Sequence, residues 1–266
     1  MPWLWAALMP HPPVIIPEVG RGREREAAIT VDGVERLAEA ISEKRPECLL
    51  VLSPHQTYAP LSLSFNATPR PVGSFAHFGA SVSLEMNTSA KLHPLAEYLR
   101  SSGLAVHGGN SSGAAVDHGS LVPLYFIKKA LNKRGLELPD VILASPVGLG
   151  PEKSLELGKV LALFGDASDW GLLASGDLSH RLTPDAPAGY SPAGKKFDAA
   201  VVAALSSANP HELLAISPQE REEAGECGLC SVMAMLGFCR ALNRTVEVIS
   251  YEGPFGVGYC NAAVWL

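Results

Sequence analysis

No apolar stretch in this sequence approaches the ~20 residues that a membrane-crossing helix needs. No Lys or Arg precedes Arg21, and Pro10, Pro12 and Pro13 break the apolar opening, so the N-terminus does not read as a secretory signal. Charge is sparse. Asp, Glu, Lys and Arg make up 18% of the 266 residues, and the net charge is −6. The densest basic cluster, from Arg21 to Arg25, is interleaved with Glu24 and Glu26 and reads as a solvated surface turn. Nucleic acid and membrane surfaces are therefore not expected partners. Cysteine is limited to Cys48, Cys227, Cys230, Cys239 and Cys260, an odd and scattered set that predicts reduced thiols in a cytoplasm rather than a disulfide framework. A single C-x-x-C occurs, so the four-thiolate zinc pattern is missing. Neither G-x-G-x-x-G nor a P-loop is present to support nucleotide binding. Internal repeats and low-complexity segments are absent as well.

What is there is a globular composition, 47% hydrophobic, at a length that one α/β domain over residues 1–266 can accommodate. Apolar runs at 3–9, 47–53, 141–145 and 170–175 read as buried strands. Helical spacing predicts helices over 29–45, 89–101, 121–132, 151–164, 192–206, 210–216 and 227–242. Residues 62–85 alternate around Pro69, Pro71 and Gly73, as a strand pair or an edge excursion would. A short strand is expected at 104–107, then a small-residue loop over 108–115, and 245–251 and 257–266 close the chain as strands. Strands alternating with helices predict an α/β single domain with a central, mostly parallel sheet flanked by helices on both faces. In such sheets sites form beyond the carboxyl ends of the strands.

Three strands run into a histidine. The first gives Met9-Pro10-His11-Pro12-Pro13, the second Ser53-Pro54-His55, and the third Gly176-Asp177-Leu178-Ser179-His180. Prolines stiffen the chain around His11 and His55, which leaves each imidazole the little freedom that suits a metal ligand or catalytic base. Two such imidazoles at strand ends can meet one ion, and Zn, Fe, Cu and Ni all accept imidazole. A carboxylate would complete a facial triad, and Glu226, where an acidic loop enters an apolar helix, is the best placed; it could equally serve the positive end of that helix. His118 and His180 are the acid–base candidates, since an ordinary histidine pKa near 6.5 suits proton transfer near neutrality. Asp117 could orient His118 or cap the helix it opens. Cys227 and Cys230 fit a redox pair or half a zinc site, but are expected mainly as thiols packed inward on one helical face. His77, His93, His107 and His211 lack such context and read as surface or loop residues.

These segments, with Asp117-His118-Gly119 and Val122-Pro123-Leu124, resemble in order and spacing the class III extradiol dioxygenases, the catalytic B-type subunits related to protocatechuate 4,5-dioxygenase. The resemblance implies that His11, His55 and Glu226 hold Fe(II), that His180 is the acid–base residue, and that His118 is its partner across the pocket. It implies a small aromatic diol or aminophenol and O2 as substrates, and a homodimer or a small partner subunit by analogy. Asp177 stands where many family members carry glycine, placing a charge near the substrate. The Gly225-Glu226-Cys227-Gly228 and Tyr251-Glu252-Gly253-Pro254 stretches are closest to a branch that resembles Memo-type proteins. The alternative expectation is therefore a metal-binding or scaffold protein that keeps the pocket without cleaving a ring, with Zn as an alternative metal.

Overall fold

The computed structural model of the protein describes residues 3–108 and 115–266, so most of the loop expected over 108–115 lies outside the described residues. The strands are β1 (Trp3–Met9), β2 (Cys48–Leu52), β3 (Leu63–Asn66), β4 (Val72–Ser74), β5 (Ser83–Glu85), β6 (Val106–Gly108), β7 (Asp140–Ser145), β8 (Trp170–Ser175), β9 (Glu247–Glu252) and β10 (Tyr259–Trp265). The helices are α1 (Pro17–Gly20), α2 (Ala28–Lys44), α3 (Leu92–Ser101), α4 (His118–Lys133), α5 (Gly150–Ala162), α6 (Pro192–Ser207), α7 (His211–Ala215), α8 (Pro218–Ala224) and α9 (Leu229–Ala241).

Eight strands form one sheet in the order β6-β3-β7-β2-β8-β1-β10-β9, and β4 and β5 pair separately. The centre, β7-β2-β8-β1, is parallel throughout. The flanks are mixed: β10 runs antiparallel to β1 and β9, and β3 antiparallel to β7. Central strands of this kind need cover on both faces, which explains their near-continuous apolar runs. Alternate residues of β2 divide accordingly. Leu50 and Leu52 pack with α3, α5, α6 and α9, whereas Leu49 and Val51 pack with α2 and α4. The mostly parallel sheet covered on both faces is the architecture expected from sequence.

The 62–85 stretch divides into both forms foreseen for it. β3 joins the main sheet, and β4 and β5 make an antiparallel excursion. Helix α8 was not foreseen. It is a polar segment without apolar periodicity, held by a capping box between Ser217 and Glu220 and ended by Gly225 at φ 63°. Helix α9 begins at Leu229, later than the sequence pattern implies, so Cys227 precedes it and is not on its inward face. Among the described residues, no helix is long and apolar enough to cross a membrane.

Candidate metal centre

The carboxyl ends of β1, β2 and β8 are neighbours in the sheet, and the loops that leave them carry His11, His55 and His180. His118 opens α4 against the same edge. The rings of His11, His55 and His118 form one cluster. His55 stacks on His118 with centroids 4.4 Å apart, and His11 meets both edge-on, at 4.9 and 5.3 Å. One nitrogen from each of these three lies within 4.8 Å of the others. His11 is buried, His118 half-buried and His55 exposed, so the cluster opens to solvent on one side. Phe78, at the surface, packs edge-on to His118 at 5.7 Å.

The hydrogen bonds around His11 fix its tautomer. Ser175 Oγ donates to the Gly119 carbonyl at 2.5 Å and so must accept from His11 Nδ1–H at 2.9 Å. His11 Nε2 is left with a free lone pair, facing His55 Nε2 at 3.2 Å. Two nitrogens this close share either a proton or a cation. The Gly119 carbonyl is free for Ser175 because Pro123, four residues on, has no N–H to offer it. Gly119 itself cannot carry a side chain: a Cβ there would stand 2.5 Å from Ser53 Oγ and 3.2 Å from the His55 ring.

Asp117 caps α4. Its Oδ1 accepts the Ser120 N–H at 3.0 Å, and it also receives the Ser53, Gln56 and Ser120 side chains. Of the two roles open to it, capping is the one observed, and the cap ties α4 to the loop that carries His55. Asp177, 4% exposed, accepts the His11 N–H through Oδ1 at 2.8 Å, and its Oδ2 lies 3.9 Å from His11 Nε2. Its carboxylate thus borders His11 from inside the protein. His180 donates from Nδ1 to the Gly225 carbonyl at 2.8 Å, which leaves its Nε2 as a proton acceptor.

Glu226 is partly buried, and its Oε2 accepts the Leu229 N–H at the start of α9, at 2.7 Å. The three-residue cluster of ligand atoms includes His118 and not Glu226. The residue after it, Cys227, was expected to pack inward; instead its Sγ is 3.6 Å from His11 Nε2. Ser175 is a site neighbour that the sequence reading passed over, and Cys227, read there as half of a redox pair or zinc site or as an inward-packed thiol, was not foreseen beside His11. Cys227 carried a signal, being adjacent to Glu226, whereas Ser175 carried none beyond ending β8. His77, His93, His107 and His211 are all exposed, as anticipated.

Burial pushes His11 well below the ordinary histidine range, and the nearby His55, His118 and His180 push it further. His55 is lowered to about 4 by desolvation and then by His118. His118 and His180 are lowered by desolvation as well, with Asp117 opposing it at His118 and the Gly225 carbonyl at His180. Three neutral imidazoles with ligand atoms within reach of one another, one with its lone pair fixed inward, are a donor set that fits a divalent transition metal. Burial raises Asp177 to about 7, against the pull of its bond from the His11 N–H. Cys227 is held well above the usual thiol range by burial and by Asp177; a bound metal would reverse that.

The sequence profile described as the catalytic LigB subunit of aromatic ring-opening dioxygenase matches residues 5–261. Protein CA_C1420 of Clostridium acetobutylicum is 34% identical over 267 residues, covering 95% of this chain and 55% of its own, so the chain spans about half that relative's length. The crystal structure of the uncharacterized protein JW3007 from Escherichia coli K12 superposes with a TM-score of 0.64 at 16% identity, over 98% of this chain and 99% of the other.

Proposed function

Since the chain belongs to the family of catalytic LigB subunits of aromatic ring-opening dioxygenases, we propose that it opens a catechol or aminophenol ring beside its ortho heteroatoms, using O2 and Fe(II), at the His11, His55 and His118 cluster, with His180 as the acid–base residue. The observation that carries this reading is the approach of His11 Nε2 and His55 Nε2 to 3.2 Å, with the His11 tautomer fixed by Ser175. In the proposal His11 and His55 are the anchoring ligands. His118 is the third nitrogen within reach, and Glu226 is the carboxylate that would make a facial triad by moving from Leu229 N–H or by using its other oxygen. Iron bound there would bring the ring and O2 together and carry electron density between them.

The chain's own groups do the rest. His180 Nε2, free to accept, takes the proton of a substrate hydroxyl and returns it to the opened product, while the Gly225 carbonyl keeps Nδ1 protonated. Asp177 and Ser175 hold His11 from its backbone and ring sides. Phe78 borders the open side against His118, where a planar ring would enter. The family description names a subunit, and a second chain, identical or not, covering this open side belongs to the proposal. All five cysteines are free thiols, in keeping with a reducing cytoplasm.

The test is anaerobic reconstitution with Fe(II), followed by O2 uptake across catechols and aminophenols. His11→Ala and His55→Ala are expected to lose stoichiometric metal; full retention in either removes it from the ligand set. His180→Ala should keep the metal and lose turnover by roughly 10²- to 10⁴-fold. His118→Ala and Glu226→Gln decide the third place, because the true ligand's variant weakens metal binding more. The Cys227 thiol beside His11 favours a second reading, a non-dioxygenase metal protein that takes Zn through nitrogen and sulfur. Stoichiometric iron with no uptake on any substrate, alone or with a partner subunit, would favour it.

A further inference from the structure

Asp198 lies in the interior of α6, 1% exposed, and no cation is paired with it among the described residues. Asp is a poor helix former, and a buried carboxylate is costly unless hydrogen bonds meet its oxygens. An apolar side chain of similar size would serve the packing at such a position as well or better. What the carboxylate adds is two acceptors, and both are used. Oδ1 accepts the Ser179 N–H at 2.8 Å, and Oδ2 accepts the Tyr251 hydroxyl at 2.7 Å. Tyr251 reaches it from β9, with its ring partly in solvent and its hydroxyl turned inward.

Ser179, the residue before His180, is bonded at every polar group. Besides the N–H on Asp198, its carbonyl accepts the Gly258 N–H at 2.8 Å. Its hydroxyl donates to the Ala224 carbonyl at 2.6 Å and accepts the Arg181 N–H at 3.0 Å. The surroundings of Asp198 are cut to fit this contact. Gly194, one turn earlier on α6, has no room for a Cβ, which would collide with Ser179 Oγ; a Cβ on Gly258 would collide with Asp198 Oδ2. On the far side, the Gly225 carbonyl accepts from His180 twice, from its backbone N–H at 3.2 Å and from its Nδ1–H at 2.8 Å. Ser179 therefore joins His180, its neighbour in the chain, to Ala224, the neighbour of Gly225. Asp198 is the group from outside these two segments that holds the junction by its backbone N–H.

We propose that Asp198 is the positioning residue for proton transfer at this centre: through Ser179 it keeps the His180 ring in register with the Gly225 carbonyl, so that His180 carries its proton on Nδ1 and presents a bare Nε2. The inference rests on the ring-cleavage reading only for the use made of that proton. The first test is independent of any substrate. In metal-free protein labelled with ¹⁵N-histidine at pH 8, with His180→Gln identifying the signals, the parent should show His180 Nδ1 protonated and Nε2 bare. Asp198→Ala should draw the two nitrogen shifts toward each other, as a mixture of tautomers does. Asp198→Asn should restore them, since its amide oxygen can accept from Ser179 while its nitrogen donates to the Tyr251 oxygen. Where Asp198→Ala does not fold, Tyr251→Phe decides: it removes one hydroxyl from a partly exposed ring and should produce the same change in smaller measure. Unaltered His180 shifts in Asp198→Ala, or in Tyr251→Phe where that variant decides, overturn the proposal. The second test uses the Fe(II)-loaded protein. Asp198→Ala should lower kcat roughly 10- to 100-fold with KM and metal affinity unchanged, and should cost nothing more in a His180→Ala background. An equal loss in that background, or a fall in metal affinity that matches the loss of turnover, makes Asp198 a folding residue alone and overturns the proposal. If no catechol or aminophenol is turned over by the parent, the ring-cleavage reading falls, and the tautomer measurement by itself settles the role of Asp198.

Discussion

At the residue scale the centre depends on which nitrogen of each histidine carries the proton. Ser175→Ala removes the acceptor that keeps His11 Nε2 bare, and metal affinity should fall by roughly 10- to 100-fold, read by competition with a chelator. The depressed histidines also make stability depend on pH. His55 holds about 4 in the folded chain against 6.5 when unfolded, so between those values the unfolded chain binds more protons. Its penalty is absent above pH 6.5 and grows on acidification. The slope of melting temperature against pH between 4 and 6.5 should therefore be shallower in metal-free His55→Gln than in the parent. Asp177 works in the opposite sense. Raised from 3.8 to about 7, it favours folding at low pH and withdraws that support as pH rises through 7. Asp177→Asn, which can still accept the His11 N–H, should raise the metal-free melting temperature at pH 8 and leave it unchanged at pH 4. A gain of the same size at both pH values would mean that ionisation is not the cause.

At the scale of single elements, α4 is where local structure and the centre are coupled. Asp117→Ala should cost about 0.5–2 kcal/mol through the lost cap and, by releasing Ser53, also weaken metal binding. A melting shift with no change in metal affinity would make Asp117 a cap alone. Much of this scale was legible beforehand. β1 spans the residues its apolar run indicated, and His11, His55 and His180 leave the strand ends their prolines and small residues suggested. α8 was not legible because its residues face water and give no periodicity; only the Ser217 and Glu220 spacing marked it. The Ser175–Gly119 bond was not legible either, because it joins residues 56 apart in the chain through a carbonyl that a proline leaves free. The role of Cys227 was hidden by its C-x-x-C spacing, which implied one helical face, whereas the helix starts two residues later.

At the scale of the whole molecule, α5 and α9 lie so close that a Cβ on Gly158 would meet the Ala234 carbonyl at 1.8 Å, and one on Gly237 the Leu155 carbonyl at 2.0 Å. Leu155 and Ala234 belong to the same core as Leu50 and Leu52 of β2, so added bulk at either glycine must move a helix that covers the central sheet. The centre on the sheet's carboxyl edge is in turn assembled from residues 11, 55, 118 and 180, with Cys227 beside them. No short segment holds even two of the clustered imidazoles, so an unfolded chain cannot present the cluster. Any ion that binds it is therefore a ligand of the native state alone, and at 100 times its dissociation constant it would add about 2.7 kcal/mol to folding. In a cell the supply of that ion would then govern how much of the chain stays folded, as well as how much of it is active.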